Sequence, residues 1–126
     1  MKQKFVPKRV KTFPGPVSPV VIAGDYAFLS GQISMHPETG EVIKGSIEEE
    51  TKRVLENIQL IVEDMGLSLN HILKCDVFLL SMSDFDGMNT IYKEFFTEEC
   101  PPARTAVAMS LWGDMKLEIS AIIKIQ

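Results

Sequence analysis

The alternation of apolar and polar positions changes character along the chain, and each change marks an element. Val20-Val21-Ile22 and Tyr26-Ala27-Phe28-Leu29 are β-rich runs around Gly24-Asp25, a pair able to turn tightly, which predicts a strand hairpin. The second run ends in Ser30-Gly31-Gln32, and His36-Pro37-Glu38-Thr39-Gly40 has the composition of an exposed loop. From Ser46 the period becomes helical. Val54, Leu55, Ile58, Ile61, Val62 and Met65 share one face, while Glu48, Glu49, Lys52, Arg53, Glu56 and Glu63 take the other. Ser46 followed three positions later by Glu49 reads as a capping box, and Gly66 as the left-handed stop.

Residues 72–80 are nearly all apolar apart from Lys74 and Asp76, which predicts a centrally placed strand buried on both faces. Ser83 with Asp86 resembles a weaker cap, and Phe85, Met88, Ile91, Tyr92, Phe95 and Phe96 give a second helical stripe, stopped by Pro101-Pro102. Residues 104–109 can form a strand. Residues 117–125 alternate strictly, with Leu117, Ile119, Ala121, Ile123 and Ile125 on one face and Glu118, Ser120, Ile122 and Lys124 on the other. The order is hairpin, helix, strand, helix, strand, strand, with room for one more strand before Pro14: an α+β or α/β pattern. Two helices cover only one face of a five- or six-stranded sheet, whereas residues 72–80 ask for cover on both. Oligomerisation through the bare face resolves the mismatch.

Composition narrows the function classes. The chain has 126 residues, the size of one domain, and 45% hydrophobic with 24% charged residues excludes a disordered or disulfide-scaffold protein. A net charge of -4 argues against a phosphate-neutralising nucleic-acid binder, so RNA cleavage is disfavoured. Cys75 and Cys100 form no paired motif and are expected to be free thiols. The basic, proline-broken start gives no signal peptide, and no segment approaches the ~20 apolar residues of a membrane span. The expectation is a cytoplasmic protein without membrane contact.

Each candidate for chemistry has an ordinary structural reading beside it. Arg104, in the stiff entry Pro101-Pro102-Ala103, is either a bidentate carboxylate clamp or an edge-strand arginine solvating an exposed face. Glu118 either opens onto a cleft, where desolvation would raise its pKa for acid–base work, or is an outward residue in plain alternation. Ser30 and Gly31 present a hydroxyl and a backbone N–H to a ligand, or form a simple turn. Asn89 shares a helix face with Phe85, Tyr92 and Phe96, as part of a site or interface or as a satisfied core-edge amide. His36 and His71 lack Cys or His partners, so no metal is expected. No nucleophile motif or phosphate-cradling glycine signature occurs, so neither covalent catalysis nor a nucleotide cofactor is expected.

Taken in order, Pro14-Gly15-Pro16, Ser30-Gly31-Gln32, residues 36–41, Val54-Leu55-Glu56-Asn57, Phe85 with Asn89 and Tyr92, Pro102-Ala103-Arg104 and Leu117-Glu118-Ile119 resemble the RidA/YjgF family of enamine/imine deaminases. The resemblance spans almost the whole chain. It implies a chorismate-mutase-like α+β fold, a mixed sheet with two helices on one face, assembled as a homotrimer with ligand sites between subunits. It also implies hydrolysis of 2-enamine and 2-imine acids (2-aminoacrylate, 2-iminopropanoate, 2-iminobutanoate) to 2-keto acids and ammonia, without a cofactor. Carried over, Arg104 holds the substrate carboxylate, the backbones of Gly31 and Ala106 orient it, Glu118 activates water, and Ser30 and Asn89 line the cleft. Val17 stands where the family usually has tyrosine, and Ala106 where many members have cysteine. The loss of the tyrosine favours an alternative, a non-catalytic module that binds small carboxylates such as 2-keto acids. Trp112, in the altered loop 110–114, either closes the site or is a partly buried loop tryptophan.

Overall fold

In the computed structural model, which describes residues 1–126, the hairpin turn is made by Gly24 and Asp25, and Gly24 takes a left-handed φ of +60° that a side chain would resist. The turn joins β2 (Val20–Ala23) to β3 (Tyr26–Gln32), with Ala23 opposite Tyr26 and Val20 opposite Leu29. A short β1 (Gln3–Phe5) pairs antiparallel with β2, filling the room left before Pro14.

α1 (Ile47–Asp64) begins at the expected capping box. Glu49 N donates to Ser46 Oγ at 3.1 Å and Ser46 N donates to Glu49 Oε1 at 2.8 Å, while Gly66 follows the last turn at φ +78°. Its stripe of Val54, Leu55, Ile58, Ile61 and Val62 is fully buried. α2 (Phe85–Phe95) packs beside α1, but its start differs from the expected Ser83 cap. Ser81, the first serine after the preceding strand, has the extended backbone an N-cap needs. It takes the N–H of Ser83 at 3.2 Å and caps a single 3-10 turn that leads into α2 through Asp84.

The remaining strands are β4 (Ile72–Leu79), β5 (Ala103–Ala108) and β6 (Leu117–Lys124), and the sheet order is β1-β2-β3-β6-β4-β5. Only β4 and β5, linked through α2, run parallel; the fold is therefore α+β, with a mixed sheet. Leu117, Ile119, Ala121 and Ile123 of β6 join Cys75, Val77 and Leu79 of β4 in the core beneath the helices. The two-sided burial expected of residues 72–80 holds on the helix side alone, because no element of this chain covers the other. On that face Phe78 is half-buried between Glu118 and Val107, and Tyr26, Phe28 and Val107 are exposed. An apolar sheet face of this kind is the usual mark of an association surface.

Two buried or nearly buried carboxylates tie the layers together. Glu50 is 1% exposed and takes the N–H of Lys116 at 3.0 Å and that of Gly45 at 3.3 Å, fixing the entry to β6 against the start of α1. Its position was legible: Glu50 stands three residues after Ile47 and four before Val54, on the apolar stripe and apart from the solvated Glu48 and Glu49. At the other end of α1, Asp64 accepts from Lys8 N (2.9 Å), Arg9 N (3.0 Å) and Arg9 Nε (2.7 Å), clasping the segment that leads from β1 to Pro14.

The hydrogen bonds from Arg9, first through its backbone and then its guanidinium, with that of Lys8 N, hold the Asp64 carboxyl below its ordinary value of 3.8. A depressed folded pKa contributes stability that is complete above the unfolded value and fades as pH falls through the folded one. Asp64→Asn is therefore expected to melt a few degrees below the wild type at pH 7. The two melting curves should converge as the buffer is taken below about pH 4, which thermal denaturation across pH 2–7 checks.

Candidate functional site

The centre of the sheet builds one half of the site. Leu29 pairs with Ala121 and Gln32 with Ile119, so β3 spends one residue more than β6 over this stretch, and Ser30-Gly31 form a β-bulge. The bulge sets the Gly31 backbone against the Glu118 carboxyl. A β-carbon at position 31 would overlap Oε2 and lie 2.7 Å from Cδ, so glycine is needed for close approach rather than for a turn. Glu118 is half-buried on the helix-free face, and burial pushes its pKa above the usual 4.5. It lies in a cleft of about 620 Å³ lined by Phe13, Gly31, Ile33, Val42 and Trp112. Ser30 keeps its hydroxyl for the protein, donating to Ser18 O at 2.7 Å, and shares a neighbouring crevice with Val17 and Phe13.

The second half lies on the other side of the sheet. Arg104 is in register with Cys75 of β4 and Glu118 with Phe78, three residues further on, so by the two-residue period of a strand they face opposite ways. Arg104 turns toward α2. Its Nη1 donates to Asn89 Oδ1 at 2.7 Å, and its guanidinium carbon lies 4.7 Å from the Tyr92 ring centroid and 5.4 Å from that of Phe85. One nitrogen is thus spent on Asn89 and two aromatic rings hold the plane, leaving the rest of the fork for a carboxylate. Ala106, two residues on, lies on the same face and packs partly against the core. Within one chain, then, Gly31 and Glu118 come together, as do Arg104, Asn89 and Ala106, but the two groups do not meet.

The stripe of α2 showed Asn89 and Tyr92 on one face, yet nothing in it revealed that Phe85 and Tyr92 stack on the arginine. The Tyr92 hydroxyl is buried without a hydrogen-bond partner, and burial, with the nearby Cys75, pushes its pKa up. Burial likewise lifts the Cys75 thiol to about 11, so it remains a neutral thiol. Trp112 is 68% exposed, in contrast to a partly buried loop residue, and is followed by Gly113 and Asp114, which both take left-handed φ angles.

Since the Tyr92 oxygen has at most the weak Cys75 thiol beside it, its ring is the working part. Tyr92→Phe is expected to unfold at the same or higher denaturant concentration than the wild type. Tyr92→Leu should lose about 2 kcal/mol in the same titration. For Glu118, a raised folded pKa means stability present below 4.5 and lost as pH rises through the folded value. Glu118→Gln is therefore expected to gain on the wild type as pH rises from 4 to 7, read from denaturant midpoints.

Against known proteins, residues 11–125 match the family model described as Endoribonuclease L-PSP. A RutC family protein of Pyrococcus abyssi is 48% identical over 109 residues, covering 86% of this chain and 85% of its own. A 2-iminobutanoate/2-iminopropanoate deaminase of Dermatophagoides farinae is 32% identical over 126 residues, covering 95% of this chain and 98% of its own. The crystal structure of Escherichia coli TdcF with bound serine superposes with a TM-score of 0.87 at 36% identity, covering 97% of this chain and 98% of that one. The family match runs over nearly the whole sequence and takes in Arg104, Gly31 and Glu118; the chain belongs to the RidA/YjgF family of reactive-intermediate deaminases.

Proposed function

We propose that the chain is a cofactor-free, homotrimeric deaminase that hydrolyses 2-imine and 2-enamine acids such as 2-aminoacrylate, 2-iminopropanoate and 2-iminobutanoate in the cytoplasm. The observation that carries the reading is Glu118, a carboxyl held half-desolvated against the Gly31 bulge with a raised pKa, as a group that both takes and returns a proton needs. The deaminase named for the mite protein supports the substrate class. An exposed free thiol at Cys100 suits a reducing compartment.

The chemistry follows from these groups. Arg104 binds the substrate carboxylate and fixes the imine carbon, an orientation that can lower the barrier by several kcal/mol. Glu118, ionised, accepts a proton from water as the water oxygen bonds to the carbon of the protonated imine and the C=N π pair moves onto nitrogen, giving a neutral carbinolamine. The protonated carboxyl then gives its proton to the amino group of the carbinolamine; as the C–N bond breaks and ammonia leaves, the hydroxyl proton returns to Glu118, which passes it to the ammonia, and the 2-keto acid forms. Arg104 and Glu118 face opposite sides of their own sheet, so this reading places one on each of two subunits, brought together by association of the bare face. Gly31 lies beside Glu118 and orients the substrate through its backbone, and Ala106 does so beside Arg104. Asn89 steadies the arginine, while Ser30 and Val17 shape the rim.

The substrate imine is generated in situ by a serine/threonine dehydratase and trapped with semicarbazide, and keto-acid formation is read with and without the protein. Arg104→Ala, Glu118→Ala and Gly31→Ala are each expected to remove most of the acceleration, the last by displacing a flexible carboxyl without unfolding the chain. Refolding Arg104→Ala with Glu118→Ala as a mixture is expected to restore about a quarter of wild-type activity, since random trimers pair the two intact halves at that frequency. Full activity in Arg104→Ala, or no recovery in the mixture, would refute the assigned site.

A further inference from the structure

The groups assigned so far account for two substituents of a bound imino acid, its carboxylate and its nitrogen. The third, the side chain on the imine carbon, needs its own wall. The cleft at Glu118 supplies one: Phe13, Ile33, Val42 and Trp112, with no cationic side chain among its lining residues. At about 620 Å³ it falls within the range that takes drug-sized ligands, far more than a methyl group fills.

Trp112 dominates that wall. Its loop holds two successive left-handed residues, Gly113 at φ 61° and Asp114 at φ 55°, and Asp114 is the only non-glycine residue of the chain with positive φ. Glycine adopts this region freely and aspartate is among the side chains that tolerate it, so the tight turn after Trp112 costs little. The indole is 68% exposed and Phe13 beside the same cleft 41%, a costly pair of aromatic surfaces to leave in water. Trp112 also borders a second recess of about 230 Å³ with Phe78, Met109 and Leu111, and Glu118 lines this one too. Trp112 and Glu118 therefore line both recesses together.

We infer that Trp112, with Phe13, Ile33 and Val42, forms an apolar pocket that makes 2-imino acids with branched aliphatic or aromatic side chains better substrates than two- or three-carbon-chain imines such as 2-iminopropanoate. This inference rests on the deaminase reading above and specifies its substrate. Each methylene buried against such a wall is worth roughly tenfold or more in kcat/KM, so the selectivity is measurable.

The experiment compares the imines of leucine and alanine, generated by an amino-acid oxidase and trapped competitively, in the wild type, Trp112→Ala and Trp112→Phe. The leucine imine is expected to have a kcat/KM at least about tenfold above that of the alanine imine. Trp112→Ala, which touches an exposed residue, should lower that ratio by about tenfold or more, and Trp112→Phe should retain most of it. A wild-type ratio near one, or a ratio unmoved in Trp112→Ala, overturns the inference while leaving the deaminase intact. If neither imine is hydrolysed, the deaminase reading has failed and the pocket is tested separately. Trp112 is the only tryptophan, so its fluorescence reports binding directly. Quenching by 4-methyl-2-oxopentanoate at concentrations at least about tenfold below those needed for pyruvate supports the pocket, and equal midpoints overturn it.

Discussion

The alternation of β6 at the middle of the sheet is the constraint on which the rest depends. Every second residue from Leu117 to Ile123 lies under the helices with no more than 5% of its surface exposed, which leaves the intervening positions on the uncovered side. Glu118 is one of those positions. Its carboxyl cannot enter the core without shifting the whole strand by one residue, which would turn four core side chains outward. The hydrophobic register thus holds a carboxylate in a place where it is partly desolvated, and the apolar effect that stabilises the fold also tunes the acid.

Around that strand, polar groups do the local positioning. Glu50, buried in the first turn of α1, fixes the backbone at Lys116, two residues ahead of Glu118. The Ser30 hydroxyl ties the bulge to Ser18, in the segment after Gly15. On the helix side the arginine is held by an amide and two aromatic rings, a combination that fixes the plane of the guanidinium without neutralising its charge. A full carboxylate in the place of Asn89 would pair with Arg104 and compete with any anionic ligand.

Much of this was legible in the sequence because it rests on period and caps. The hairpin, the Ser46–Glu49 box, the Gly66 stop and the two faces of β6 each follow from a local pattern with one physical solution. The demand for cover on both faces of residues 72–80 is met by this chain on the helix side alone, since hydrophobicity records that a face needs cover, not which chain supplies it. The facing of Arg104 was beyond reach, since β5 surrounds it with alanines that fit either side of a sheet, and only pairing with β4 decides. The bulge at Ser30-Gly31 is a matter of register between distant strands, which neither strand announces alone. Ser81 outcompeted Ser83 as a cap through backbone conformation, again a property of the path of the chain. The resemblance to the family supplied what periodicity could not, the chemical roles of Arg104 and Glu118.

The contact between Gly31 and Glu118 has a meaning for how such a protein can change over generations. Position 31 accepts no side chain while position 118 keeps its carboxyl in place, so neither site drifts independently. A descendant that shortened residue 118 would open space at the bulge, and a side chain at 31 would then be tolerated and would bar the way back. The pair works as a ratchet. In a related sequence, a residue other than glycine at this bulge implies a carboxylate turned aside from this position or absent from it.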